Sequence, residues 1–135
     1  MNVVVDTNIL FSALLKESNR FADALLLAEQ VTFFAPKFVI VELFKYKEKI
    51  SELSKMPDSV VFEALYKLLK PIHFFDESLL SPSNLSRAYA LCAGIDEKDT
   101  PFVALTLELD GQLWTGDKKL KQGLLQRGFD RFFEG

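Results

Sequence analysis

Short apolar runs, each ending in a polar turn and followed by a stretch of helical periodicity, constrain this chain more than any other feature. The first run, Asn2 to Val5, is β-branched and stops abruptly at Asp6-Thr7-Asn8, the pattern of a buried strand feeding a helix cap. From Ile9 to Gln30 the residues Leu10, Leu14, Phe21, Leu25 and Ala28 recur at helical spacing, with a polar interruption from Lys16 to Arg20, which predicts two consecutive helices. Val31 to Ala35 reads as a second strand ended by Pro36, and Lys37 to Ile50 as the helix after it. Pro57-Asp58 opens a further helix through Leu69, Pro71 closes it, and Ile72 to Phe75 forms a third strand.

Ser81-Pro82-Ser83 starts a helix running to Ala93 and closed by Gly94. Thr100-Pro101 supplies an N-cap and first-turn pair for an almost wholly apolar helix, Phe102 to Leu109, which belongs inside the molecule. Gln112 to Thr115 reads as a fourth strand, Gly116-Asp117 turns into a last helix, and Arg131 to Phe133 as a terminal fifth strand. Strands alternating with helices predict an α/β fold: a parallel sheet with helices on both faces and right-handed crossovers. With 135 residues, no internal repeat and no linker, a single domain over 1–135 is expected.

Composition narrows the class. Nearly half the residues are apolar, 13 are Phe, and Gly and Pro are sparse, so the chain is a packed protein and not a low-complexity one. Cys92 is the only cysteine, which rules out an internal disulfide and fits a reducing cytoplasm. Met1 to Asp6 lacks a basic export signal, and no apolar run approaches the roughly 18 residues of a membrane span, so neither export nor insertion is expected. The net charge of -3 carries no basic footprint, yet setting aside four metal-neutralised carboxylates leaves about +1, which admits a nucleic-acid substrate.

In open parallel sheets ligands bind beyond the carboxyl ends of the strands, and acids recur there. Asp6 follows the first strand, Asp117 the fourth, Glu42 lies one to two helical turns after the second, and Asp99 stands at the mouth of the buried helix. Converging carboxylates make a site for a hard cation. A plainer role competes at each position: Asp6, Asp99 and Asp117 are all placed to cap helices, a contribution of about 1 kcal/mol each. Asp96, one turn before Asp99, is an alternative ligand, although spacing favours Asp99. Glu42 interrupts Val39-Ile40-Val41 and Leu43-Phe44 with a charge, and its plain partners would be Lys45 or Tyr46; metal ligation explains it better because a cation offsets both burial and repulsion. His73 and Cys92 are the only soft ligands, too few for tetrahedral zinc, so Mg²⁺ or Mn²⁺ is the expected metal. The nucleophile elbow, the dinucleotide-binding glycine loop and the phosphate-cradling lysine loop are all missing.

Taken together, Val3-Val4-Val5-Asp6-Thr7-Asn8, Glu42, Asp99-Thr100-Pro101-Phe102-Val103-Ala104-Leu105 and Thr115-Gly116-Asp117-Lys118-Lys119-Leu120 resemble PIN domains over essentially the whole chain. The resemblance implies a three-layer α/β/α sandwich with a central parallel sheet, and a metal-dependent ribonuclease site. It extends to the VapC-type toxins of toxin–antitoxin pairs, and so implies an RNA substrate, a homodimer and a cognate antitoxin. Its four acids fall on Asp6, Glu42, Asp99 and Asp117; Thr115 matches a hydroxyl residue that orients a carboxylate or water, and Asn8 is expected to hydrogen-bond Asp6. One departure is Trp114, large where the family often has small residues. Lys118 and Lys119 sit in the first turn of the last helix, where cations oppose the macrodipole, and are read either as RNA phosphate contacts or as a solvated face; Arg20, Lys45, Lys47 and Lys49 are further phosphate candidates. Dehalogenase-like phosphatases also begin with Asp after a strand, but Asn8 and Leu10 break their pattern. The non-enzymatic alternative is an RNA- or protein-interaction module of the same fold, with the acids serving as caps.

Overall fold

A computed structural model of the protein describes residues 1–15 and 30–134. The predicted second helix, with Phe21, Leu25 and Ala28, and the candidate contact Arg20 lie outside the described residues. Strand β1 (Asn2–Val5) is followed by helix α1 (Thr7–Leu15), and β2 (Thr32–Pro36) by α2 (Phe38–Lys45), α3 (Lys47–Ser54) and α4 (Asp58–Leu69). Then come β3 (Ile72–Phe75), α5 (Pro82–Cys92), α6 (Thr100–Glu108), β4 (Gln112–Trp114) and α7 (Lys118–Gln126).

All strand pairs are parallel, in the order β3-β2-β1-β4. From β1 the chain winds outward through β2 to β3, then crosses back to lay β4 on the other side of β1. Right-handed crossovers in opposite directions put their helices on opposite faces. Accordingly α1, α3 and α4 pack together, α5 packs on α6 and α7, and α6 lies across β1, β2 and β4. This is a three-layer α/β/α sandwich.

Val3, Val4 and Val5 are wholly buried, as expected of a central parallel strand covered on both faces. Helix α6 buries Phe102 through Thr106 without interruption, and the Thr106 hydroxyl donates to the Phe102 carbonyl at 2.8 Å, so its polar atom is satisfied inside the core. No helix among the described residues is long and apolar enough to cross a membrane.

Three expectations need correction. The stretch after β2 is two helices broken at Tyr46, whose backbone (φ −99°, ψ 6°) leaves the helical range. Thr100, expected as the N-cap of α6, is its first residue, because its backbone (φ −49°, ψ −47°) is already helical and Asp99 takes the cap position. Finally, Arg131 to Phe133 makes a single parallel bridge, Leu113 to Phe132, and not a strand; the segment is anchored by Leu113 N–H donating to the Arg131 carbonyl and Phe133 N–H to the Leu113 carbonyl. That anchoring accounts for Trp114. Its buried ring lies 5.9 Å from Phe33 and 5.2 Å from Phe133, so the bulk fills the core between sheet and C-terminal segment.

Gly111, just before β4, holds the return strand tight against β1: a Cβ there would meet the Asn2 carbonyl oxygen at 2.5 Å. Gly111→Ala should therefore destabilise the protein by about 1–3 kcal/mol, the usual cost of overpacking. Chemical denaturation measures this directly, and an unchanged midpoint would refute the account.

Candidate active site

The chain order reverses between β1 and β4, and an open parallel sheet parts its loops at such a switch point. The last rung of the β1–β4 ladder, Val5 opposite Trp114 with Asp6 N–H donating to the Trp114 carbonyl at 3.0 Å, sets Asp6 beside Thr115. Asp6 is only 3% exposed, yet both carboxylate oxygens are engaged: the Thr115 hydroxyl donates to one at 2.8 Å and the Asn8 backbone N–H to the other at 3.0 Å. Thr115 Oγ1 in turn accepts from Asp117 N–H at 3.1 Å, which ties the two strand ends into one hydrogen-bonded unit. Asn8 thus contacts Asp6 through its main chain and not its side chain, which is exposed.

Glu42 reaches the same edge from α2, where the Thr7 hydroxyl donates to it at 3.0 Å. It is half-buried, and its apolar sequence neighbours Val41 and Phe44 point to solvent, so the expected fully buried charge is not what the helix presents. Successive residues of a helix face different directions, which is why an apolar run did not imply burial here. Among the described residues no ion pair joins Glu42 to Lys45, whose ammonium lies 5.8 Å from the Tyr46 ring centre instead.

Asp99 and Asp96 separate cleanly. Asp96 accepts from Lys98 N–H at 3.1 Å and caps the short 3₁₀ turn Glu97–Asp99. Asp99 occupies the N-cap of α6 but makes no side-chain cap hydrogen bond, and Thr100 is the first residue of α6, its hydroxyl donating to the Glu97 carbonyl. Pro101 follows with no N–H, so α6 has one fewer first-turn donor to satisfy. Asp117 does cap α7, accepting from Leu120 N–H at 3.1 Å.

One oxygen from each of Asp96, Asp99 and Asp117 lies within 4.8 Å of the others. The tightest group thus includes Asp96, which spacing had ranked second. Asp6, Glu42, Asp96 and Asp99 line one cleft of about 510 Å³, together with Thr7, Asn8 and Lys98. Sequence reasoning missed Thr7, which donates to Glu42 of another element, and Lys98, which lines the cleft; nothing local marks either. Asp117 and Lys118 line an adjoining cleft with Lys121, while Lys119 is exposed.

The electrostatics follow from the crowding. Burial first, then the charges of Asp6, Asp96, Asp117 and Glu42, push Asp99 up to about 7. Burial also raises Asp6, against the lowering effect of its bonds from Asn8 and Thr115, with Asp117 and Glu42 raising it further. An all-oxygen donor set with unfavourable mutual repulsion suits a hard divalent cation. His73 is exposed on β3 and Cys92 is buried in α5, its thiol pushed up to about 11 by burial, so neither enlarges the donor set.

The PIN domain profile matches residues 4–132. The chain belongs to the PIN domain family. No curated protein matches the sequence. Among solved structures, the VapBC2 complex of Rickettsia felis bound to a DNA fragment from its promoter contains a chain similar to this PIN domain at 20% identity, with a TM-score of 0.70, covering 90% of this chain and 92% of that one. At that identity the likeness is one of fold.

The Asp99 shift makes a signed prediction. The folded protein holds this proton up to about pH 7, whereas the unfolded chain releases it near the ordinary value of 3.8, so raising pH across that window favours unfolding. In metal-free buffer, wild type should lose more stability than Asp99→Asn between pH 4 and pH 7. Parallel thermal melts of the two proteins test this, and identical pH slopes would refute it.

Proposed function

We propose that this PIN domain is a metal-dependent endoribonuclease that cleaves RNA phosphodiester bonds, acting as the toxin of a toxin–antitoxin pair in the cytoplasm. The observation that carries the reading is the gathering of carboxylates from separate elements at the switch point, including an Asp99 whose side chain caps nothing. Caps alone would not need to share a cleft.

In this reading Asp6, Glu42, Asp99 and Asp117 hold one or two Mg²⁺ or Mn²⁺ ions, with Asp96 beside them. When bound, such an ion lowers the pKa of a coordinated water and neutralises charge on the phosphate under in-line attack. The protein's own part is orientation. Thr115 and the Asn8 N–H fix both oxygens of Asp6, and Thr7 fixes Glu42, so two acids are aimed before substrate arrives. Lys98 and Lys118, exposed at the rims of the two adjoining clefts, and Lys119 beside Lys118 supply positive charge to draw the RNA backbone toward an acidic centre.

Cleavage of a structured-RNA panel with Mg²⁺, Mn²⁺ or EDTA, beside two variants, tests this. Asp6→Asn should fall to background, and Thr115→Val, which removes only the orienting hydroxyl, should lose about 10- to 100-fold. Metal-independent cutting, or full activity in Asp6→Asn, would sink the assignment and favour the interaction module.

A homodimer and a cognate antitoxin belong to the same proposal. Its support is an apolar cleft of about 300 Å³ where α2 meets α4, lined by Ile40, Phe44, Phe62, Leu65, Tyr66 and Leu69 among others, with Val41 exposed nearby. Exposed apolar patches of this kind mark association surfaces. Phe62→Lys should reduce the mass measured by light scattering from dimer to monomer; a monomeric wild type would remove the homodimer from the proposal.

A further inference from the structure

A second cleft opens directly beside the acidic one. It has a volume of about 310 Å³ and is lined by Thr7, Asn8 and Phe11 from α1 and by Glu42, Tyr46 and Lys49 from the α2–α3 arm. Thr7, Asn8 and Glu42 line both clefts, so the two share a wall. Glu42 on α2, Tyr46 at the break and Lys49 in the first turn of α3 all line this cleft, which therefore carries a carboxylate, an aromatic ring and an ammonium.

Tyr46 is held as a platform. Its N–H donates to the Glu42 carbonyl at 3.1 Å and its carbonyl accepts from Ile50 N–H at 2.9 Å, so the break between α2 and α3 is hydrogen-bonded on both sides. The ring meets Phe11 edge-on, with centres 6.5 Å apart and planes at 86°, and remains 39% exposed. Asn8 offers a side-chain amide at the shared wall, its backbone pinned by Asp6.

We propose that this cleft is a nucleobase subsite for the RNA strand, in which Tyr46 stacks on a base next to the scissile phosphate and Lys49 contacts the following phosphate. The inference rests on the nuclease reading and adds to it where the strand lies. A planar ring in a cleft with the Lys49 ammonium, and with the Lys45 ammonium 5.8 Å from the ring centre, matches how proteins hold single strands: aromatic stacking on bases with positive charge along the backbone. Asn8, with donor and acceptor on one amide, can pair with the edge of the stacked base.

The test separates binding from cutting. Fluorescence anisotropy with a labelled, short single-stranded RNA of mixed sequence measures affinity in the Asp6→Asn background. There Tyr46→Leu, which keeps bulk against Phe11 but no aromatic face, should weaken binding by about tenfold, while Tyr46→Phe and Tyr46→Trp should retain it. Lys49→Gln should lower the slope of log affinity against log salt by about one unit. Thermal melts of each variant with and without Mn²⁺ serve as the folding control. Unchanged affinity in a folded Tyr46→Leu variant, or equal losses in the Leu and Phe variants, would overturn the subsite while leaving wild-type cleavage intact. Absence of wild-type cleavage would instead count against the nuclease reading, and the anisotropy series would still decide the subsite.

Discussion

The hydrogen bond from Thr115 to Asp6 joins two residues 109 positions apart in the chain, and it exists only because β4 returns to pair with β1. Parallel pairing of a late strand with the first one is costly in chain entropy before any contact rewards it. The reward comes from Val3, Val4 and Val5, which are buried on both faces, and from α6, which lays an unbroken apolar stretch across three strands. Once that core forms, Asp6 and Thr115 are delivered to neighbouring strand ends with no freedom left to lose, and the orientation of the acid is set by the sheet.

Around this bond the fold concentrates negative charge. Asp6, Glu42, Asp96, Asp99 and Asp117 come from β1, α2, the turn before α6 and the turn after β4. Hydrogen bonds offset the burial of Asp6, from a hydroxyl and a backbone N–H, and Glu42 receives one from Thr7. Asp99 makes no side-chain cap bond, and burial, then the neighbouring carboxylates, raise its proton affinity. Mutual repulsion in such a site is relieved when a proton stays or a cation enters.

Much of this was legible in the sequence, for identifiable reasons. The strands showed themselves as short apolar runs, and Asp6 and Asp117 as polar residues placed where such runs stop. The PIN domain resemblance then joined VVVDTN to TGDKKL, motifs that nothing local connects. Less visible were features that depend on direction in space. Glu42 sits among apolar neighbours in sequence, but the helix turns Val41 and Phe44 outward, so its environment could not be inferred from them. The break at Tyr46 leaves no proline or glycine signature. That Asp96 spends an oxygen on a backbone N–H while lying in one group with Asp99 and Asp117 depends on turn geometry, which spacing alone does not reveal.

Capping falls unevenly on these neighbouring acids. Each Asp near a helix start faces two uses for its oxygens, and local backbone decides which it serves. Asp96 commits one oxygen to the turn before α6, and Asp117 commits one to α7, yet each has a carboxylate oxygen within 4.8 Å of one from Asp99. Pro101 removes one first-turn N–H, the Thr100 hydroxyl donates to the Glu97 carbonyl, and Asp99 makes no cap bond. The positive end of the α6 dipole still lies beside it and favours its charged form, partly offsetting the repulsion. Pro101 therefore does more than start a helix: it withdraws one of the donors that would otherwise compete for the adjacent carboxylate.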